Sequence, residues 1–189
     1  MKNTEKDKSN VIDEVKKIYD YFSSEKSFSR LIPEVRTNIS AGLPDAINKN
    51  DIAAIEGRIT IINGYPKACG EIKFGMSNHT ARLLLTAKKF DDSINIVMNI
   101  KYIPELIEKL KTTELEIEEI PRNNQSLEIR EKEDSTMQWL IQECMKKIGR
   151  IPDIIHDKGA IGKEPMIRLF GKLSDDIIQI LTLILEIIE

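Results

Sequence analysis

The stretch HDKGAIGKEPMIRLFG, residues 156–171, places glycines at 159 and 162 and a lysine at 163, with an apolar run behind them. Glycine lets the backbone adopt conformations closed to other residues and lets a ligand approach its N–H groups. With Lys163 alongside, the pattern suits an anion such as a phosphate. It is not the nucleotide P-loop, which reads G-x-x-x-x-G-K followed by Ser or Thr. Here the glycines are three apart, and Lys163 is followed by Glu164 and Pro165. The G-x-G-x-x-G spacing of a dinucleotide fold is also missing.

Other polar residues fall where chemistry is plausible. Arg36 and Asn38 alternate along a predicted strand, so their side chains share one face. Arg58 follows Gly57 at the entrance to a hairpin, and His79 lies in the first turn of a predicted helix, just after a loop containing Gly75. The positive end of a helix dipole lowers the pKa of such a histidine, so a largely neutral ring at pH 7 is expected. That ring can donate or accept a hydrogen bond at an anionic or carbonyl group. The plainer readings are exposed charges for the arginines and a capping or solvent-facing ring for His79. Asn99 is more telling, because it interrupts the very apolar IVMNIKY. A polar amide in a buried strand must find partners, and binding sites often supply them.

Several chemistries are disfavoured. His79 and His156 are the two histidines, with no H-x-H or H-x-x-x-H pattern, so a zinc site of the usual type is not expected. A Mg²⁺ held partly by substrate phosphates needs only one or two carboxylates. No Ser-His-Asp arrangement or G-x-S-x-G elbow is present. Cys69 and Cys144 read as two buried, reduced thiols.

The elements that must hold these residues follow from periodicity and breakers. The first ten residues are expected to be disordered. VIDEVKKIYDYFSS then places Val11, Val15, Ile18 and Phe22 on one helical stripe. A strand is predicted around Arg36–Ala41, and a hairpin turns at Asn63-Gly64 between β-branched runs. A helix capped by Ser77 runs to about Phe90, followed by the strand INIVMNIKY, the helix IPELIEKLKTT and the strand ELEIEEI. PRNNQSLEIREKED has the polarity of a long surface loop. The helix STMQWLIQECMKKIG stops at Gly149, the strands IPDIIHD and MIRLFGK follow, and Ser174 caps a last helix. Hairpins and short links preclude a uniform β-α-β repeat, leaving a mixed, largely antiparallel sheet with helices on its faces.

With 189 residues, 41% apolar and 31% charged, the chain suits one soluble domain with a sizeable core. A net charge of −3 gives no bulk reason to expect a nucleic-acid partner, so any anion site must be a local grouping of Arg and Lys. One short helix ahead of the main domain is also too little for a helix-turn-helix. The N-terminus lacks a signal-peptide core, and IIQILTLILEIIE is too short to span a bilayer, so a cytoplasmic protein without membrane contact is expected.

Taken together, LIPEVRTNIS, IEGRITIINGYPKACGEIKFGMSNHTARLLLTA, MNIKY, STMQWLIQE and PDIIHDKGAIGKEPMIRLFG resemble the archaeal-type thiamine-phosphate synthase domain family, ThiN-like, from about Leu31 to Gly171. The combination P-E-V-R-x-N-I, F-G-x-S-x-H-x-A-R, M-N-I and G-x-x-G-K-E-P-M-I is specific. The resemblance implies a three-layer α/β/α fold with a mixed, mostly antiparallel sheet, similar to the class II aldolase/epimerase type. The aldolases of that type use a histidine cluster this chain lacks. It further implies a family domain over residues 27–189, behind an arm or linker remnant at 1–26. The implied reaction condenses hydroxymethylpyrimidine diphosphate with hydroxyethylthiazole phosphate, giving thiamine phosphate and pyrophosphate. Arg58 and His79 are then the candidate catalytic residues. Arg36, Asn38, Asn99, Gly159, Gly162 and Lys163 are candidates for substrate binding, and Asp157 and Glu164 for a Mg²⁺ carried by the diphosphate. The alternative is a non-catalytic thiamine-phosphate sensor using the same pocket. Expected partners are the phosphorylated pyrimidine and thiazole, a fused or associated pyrimidine kinase domain, and a second copy in a homodimer.

Overall fold

The computed structural model describes residues 5–122, 125 and 135–189. Nine strands are seen among them: β1 Ile39–Gly42, β2 Ile52–Ile55, β3 Ile59–Ile62, β4 Tyr65–Ala68, β5 Ile72–Phe74, β6 Ile96–Lys101, β7 Ile117–Glu119, β8 Ile154–Asp157 and β9 Met166–Gly171. The helices are α1 Glu5–Phe22, α2 His79–Lys88, α3 Pro104–Leu110, α4 Thr136–Ile148 and α5 Ser174–Ile188. Seven strands form one sheet in the order β5-β2-β1-β6-β9-β8-β7, antiparallel except for the parallel pair β7–β8. Strands β3 and β4 make a separate hairpin whose turn residues, Asn63 and Gly64, have φ of 54° and 81°. Both values are left-handed, as the tight Asn-Gly turn requires.

The period-2 alternation of strand side chains sorts the core into two layers. On β6, Ile96, Met98 and Ile100 join a cluster covered by α1, α3 and α5, while Val97 joins a second cluster covered by α2 and α4. Ile154 and Ile155 on β8, and Leu169 and Phe170 on β9, divide in the same way. The result is the expected three-layer α/β/α arrangement. Asn99 and Arg168 are register partners, so both sit on the α2/α4 face, beyond the apolar packing of Val97 and Phe170.

Several expectations need correction. The first ten residues are not disordered as a block, because α1 already begins at Glu5. Its stripe of Val15, Ile18 and Phe22 is fully buried in the same cluster as the sheet, and Phe22 stacks on Phe28 at 3.8 Å between ring centroids. This segment is therefore packed as cover for the sheet. The N-cap of α2 is Asn78, not Ser77, and the helix ends at Lys88. Ser77 instead shares a 2.6 Å hydroxyl–hydroxyl bond with Thr80. Leu173 holds the N-cap position of α5, with Ser174 first in the helix. The turn before α5 is tied by the Asp176 carboxylate, which accepts from the backbone N–H of Lys172 and Leu173 at 2.7 and 3.0 Å. Strand β2 was not foreseen, because IAAI is short and its alanines carry little β signal. Cys69 is exposed and only Cys144 is buried. The long loop expected over 121–134 lies outside the described residues, apart from Pro121, Arg122 and Gln125.

Candidate functional site

A cavity of about 270 Å³ opens on the α2/α4 face of the sheet, at the end where α2 and α4 begin. Its lining brings together Arg58, His79, Asn38, Asn99, Gly162, Lys163 and Glu164, seven of the residues singled out in the sequence. Arg36, Gly159 and Asp157 are not on its wall. Residues missed by the sequence reading complete it, above all Arg122 and Arg168, with Leu83, Met137 and Met166 as apolar wall. Among the described residues of the lining, four cations face one carboxylate, Glu164.

Arg58 and Arg36 hold the outer edge through an unusual backbone. Both have left-handed φ, 71° and 68°. For a residue with a Cβ this costs about 1–2 kcal/mol and persists only where the surroundings enforce it. Here each guanidinium fixes the other's turn: Arg58 Nη1 donates to the carbonyl of Val35 at 2.5 Å, and Arg36 Nη1 donates to that of Gly57 at 3.2 Å. Arg36 also reaches Cys69 Sγ at 3.5 Å and lines a separate shallow cleft shared with Arg58. Arg58 belongs to both spaces.

Asn38 and Asn99 are satisfied by backbone. The side chain of Asn38 accepts from Ile39 and Ile55 N–H at 2.9 and 3.1 Å and donates to the Ile55 carbonyl at 3.1 Å. Asn99 accepts from Asn38 N–H at 2.8 Å and donates to the Arg36 carbonyl at 3.0 Å. These amides stitch the frayed end of β1 to β2 and β6, and thereby set the position of the Arg36 turn. His79 is the first residue of α2 and is exposed to the cavity mouth. Asn78, at the N-cap, gives the opening turn no side-chain hydrogen bond. Thr80 behind it is held by the hydroxyls of both Ser40 and Ser77 at 2.6 Å.

The glycine-lysine loop is tied down by carboxylates on both sides. Ala160 and Lys163 exchange backbone hydrogen bonds of 3.1 and 2.8 Å, closing a tight turn that carries Gly162 and Lys163 onto the cavity. Gly159, with φ of 75°, permits the crossing: a Cβ there would meet the Lys163 carbonyl oxygen at 2.5 Å. Its N–H is already given to Asp157 Oδ1 at 2.8 Å. Glu164 accepts from the backbone N–H of Glu34 and Val35 at 2.9 and 3.2 Å, fastening the loop to the Arg36 turn.

Asp157 is wholly buried, with Arg168 Nη1 2.6 Å from Oδ2 and Arg122 Nε 3.0 Å from Oδ1. Burial pushes the Arg122 guanidinium below its ordinary pKa, and Asp157 opposes that shift. The chemistry of this donor set argues against Asp157 as a metal ligand, since two guanidinium groups occupy its oxygens and would repel a cation. Glu164 has both oxygens engaged by backbone. Among the described residues no group of three or more His, Cys, Asp or Glu side chains is placed to hold a metal ion. Arg168 was legible in principle: a lone cation in the buried run MIRLF carries the same signal as Asn99 in IVMNIKY.

A three-layer α/β/α domain with a cationic, partly apolar cavity at one end of its sheet has the charge and size to suit small anionic molecules. The sequence pattern of thiamine-phosphate synthase ThiN matches residues 14–182, and the chain belongs to that family. It is 30% identical over 178 residues to thiamine-phosphate synthase ThiN of Methanothermobacter thermautotrophicus, covering 94% of this chain and 92% of that one. It is 38% identical over 151 residues to the bifunctional thiamine biosynthesis protein ThiDN of Methanocaldococcus jannaschii. That match covers 79% of this chain but about a third (34%) of the relative. The crystal structure of the C-terminal domain of a phosphomethylpyrimidine kinase superposes with a TM-score of 0.85 at 33% identity, covering 94% of this chain and 99% of that one. Among the described residues, no helix is long and apolar enough to cross a membrane.

Proposed function

We propose that this chain is a thiamine-phosphate synthase that joins hydroxymethylpyrimidine diphosphate to hydroxyethylthiazole phosphate. The observation that carries this reading is the convergence of Arg58, Arg122, Lys163 and Arg168 on one cavity, in a chain whose net charge is −3. The reaction asks for little covalent help. The C–O bond from the pyrimidine methylene to the diphosphate breaks, and its electron pair leaves with pyrophosphate. The thiazole nitrogen lone pair forms the new C–N bond at that carbon. No oxidant, reductant or proton-abstracting base is required by this balance.

What the protein must supply is alignment of the two rings and stabilisation of the charge growing on the leaving group. Arg58 and Lys163, at the partly open edge of the cavity, are suited to the diphosphate, with His79 at the start of α2 as a hydrogen-bonding partner. The positive end of α2 adds to their field. Leu83, Met137 and Met166 offer apolar wall on which the heteroaromatic rings can rest. Mg²⁺ is expected to arrive on the diphosphate. Asp157 does not fit as its ligand, for the reason given above, and no step here is routed through the ion. Supply of the diphosphate calls for a kinase acting in series, fused or separate. The test is direct: the two substrates, mixed with the protein and Mg²⁺, should give thiamine phosphate and pyrophosphate in equal amounts. No product, with a folded protein, would refute the reading.

A further inference from the structure

Three hydroxyls form a chain from the core to the cavity wall. Ser40 Oγ lies 2.6 Å from Thr80 Oγ1, which lies 2.6 Å from Ser77 Oγ. Ser77 and Thr80 line the cavity, whereas Ser40, on β1, is fully buried behind them. The register partners of Ser40 are Ala54 and Val97, which offer no side-chain acceptor, and among the described residues its hydroxyl meets only Thr80. Each hydroxyl carries one proton and the chain has two links, so one proton is left over. Left on Ser40, it would be a buried donor without a partner, at a cost of about 1–3 kcal/mol. The surplus proton therefore belongs to the cavity end. Thr80 could accept from both neighbours, but hydroxyls that each accept and donate polarise one another and strengthen the chain. That selects the direction Ser40 to Thr80 to Ser77, with the Ser77 O–H as the donor to spare. Ser77 and Thr80 are 9% and 6% exposed, so little water reaches this donor.

We propose that Ser77, oriented by Thr80 and Ser40, is a specificity-determining residue whose O–H donates to a ring nitrogen of the pyrimidine substrate. This rests on the synthase reading above. The donor is single and uncharged, and the next cavity residue along α2 is Leu83, one turn on. A neutral acceptor at the edge of a ring that rests on Leu83 suits this setting, whereas phosphate oxygens gain more from Arg58 and Lys163. The chemistry of the reaction chooses between the two rings. The thiazole nitrogen spends its lone pair on the new C–N bond, so a donor facing it would hold back the attack. The pyrimidine nitrogens keep their in-plane lone pairs throughout and stay available to Ser77 from substrate to product.

Calorimetry on wild type and Ser77→Ala, with hydroxymethylpyrimidine diphosphate alone and with pyrophosphate, reads the ring separately from the phosphates. Wild type should bind the pyrimidine diphosphate more tightly than pyrophosphate. In Ser77→Ala that preference should fall at least about fivefold, as a ring acceptor left unpaired implies, while pyrophosphate affinity changes less than about twofold. If Ser77→Ala fails to fold, Ser77→Cys carries the same expectation, because a thiol of similar shape is only a weak donor. An unchanged preference in a folded variant overturns the proposal, as does an equal loss for both ligands or a wild type without the preference. A Ser77-dependent preference in a protein that forms no thiamine phosphate would sink the synthase reading and leave this assignment standing. Normal synthesis with a Ser77-independent preference would do the reverse.

Discussion

Replacing Gly159 by alanine separates backbone strain from steric collision, because Gly162 in the same loop supplies the control. Both glycines have left-handed φ, 75° and 72°. An alanine in that region costs about 1–2 kcal/mol at either position. At Gly162 nothing lies within 4 Å of the added Cβ, so the backbone cost is the whole effect. At Gly159 the Cβ would sit 2.5 Å from the Lys163 carbonyl oxygen, 2.9 Å from Pro165 N and 3.0 Å from its Cδ. These are backbone and ring atoms that cannot swing aside, so the loop must open, at a further cost of about 1–3 kcal/mol by analogy with overpacked interiors. For a chain of this size, 1 kcal/mol moves Tm by about 2–4 °C. Gly162→Ala should therefore lower Tm by roughly 2–8 °C, and Gly159→Ala by roughly 4–20 °C. The functional split should be wider. Opening the turn pulls Lys163 off the cavity and weakens the Gly159 N–H bond to Asp157, so Gly159→Ala should lose most of its kcat/KM while Gly162→Ala keeps most of its own. Thermal unfolding and product formation on both variants decide it. If Gly159→Ala matches Gly162→Ala in stability and turnover, the crossing of the loop over Gly159 is not what positions Lys163.

Arg58→Ala and His79→Ala should each lower turnover on the order of 10²–10³-fold with far-UV dichroism unchanged, since removal of one electrostatic stabiliser has effects of that size. Wild-type turnover in either would exclude that residue. Asn38→Ala should destabilise by about 2–4 kcal/mol, because three buried backbone groups lose a partner at once, and chemical denaturation reads this directly. A loss below about 1 kcal/mol would mean the strand ends close up without it. His156 is buried against Tyr102, and neither ring nitrogen has a hydrogen-bond partner among the described residues. Burial lowers its pKa from the ordinary 6.5, with Glu119 opposing. A lowered folded-state value means the unfolded chain takes the proton first, so the stability of the neutral ring is complete above about pH 6.5 and declines as the pH falls below it. His156→Phe should flatten that part of the profile in melts between pH 8 and 5.5, and an unaltered slope would exclude His156 as its origin.

Much of the fold was legible because the period-2 and period-3.6 patterns were strong where packing demands them. The α1 stripe, the Asn63-Gly64 hairpin and the Gly149 stop all reflect local chemistry, and Gly149 indeed closes α4 with φ of 73°. Strand β2 was not legible, because IAAI owes its place to pairing with β1 and β5 rather than to its own propensity. The cap of α2 was misjudged for a related reason: Ser77 is a good cap locally, but its hydroxyl is recruited by Thr80 beneath the cavity.

The site shows the same division between local and long-range information. Residues announced by a local oddity, such as Arg58 after Gly57 or Lys163 after Gly162, were found, and they lie at the accessible side of the cavity. The cluster at its base was found only in part: Asp157 was named, as a metal candidate, while Arg122 and Arg168 were passed over. Asp157 ends a strand, Arg168 interrupts another, and Arg122 falls in a stretch with the polarity of a loop. Their meaning arises only when β8 and β9 pair in register, Asp157 beside Met166 and Ile155 beside Arg168, which puts the carboxylate within 2.6 Å of the guanidinium on one sheet face. Asp157 then accounts for why its loop is built as it is. By holding Gly159 N–H on the same oxygen that meets Arg122, one buried carboxylate couples the base of the cavity to the turn that delivers Lys163. A shift at either end must be felt at the other, so the cationic base of the cavity and the lysine at its rim are held at a fixed separation.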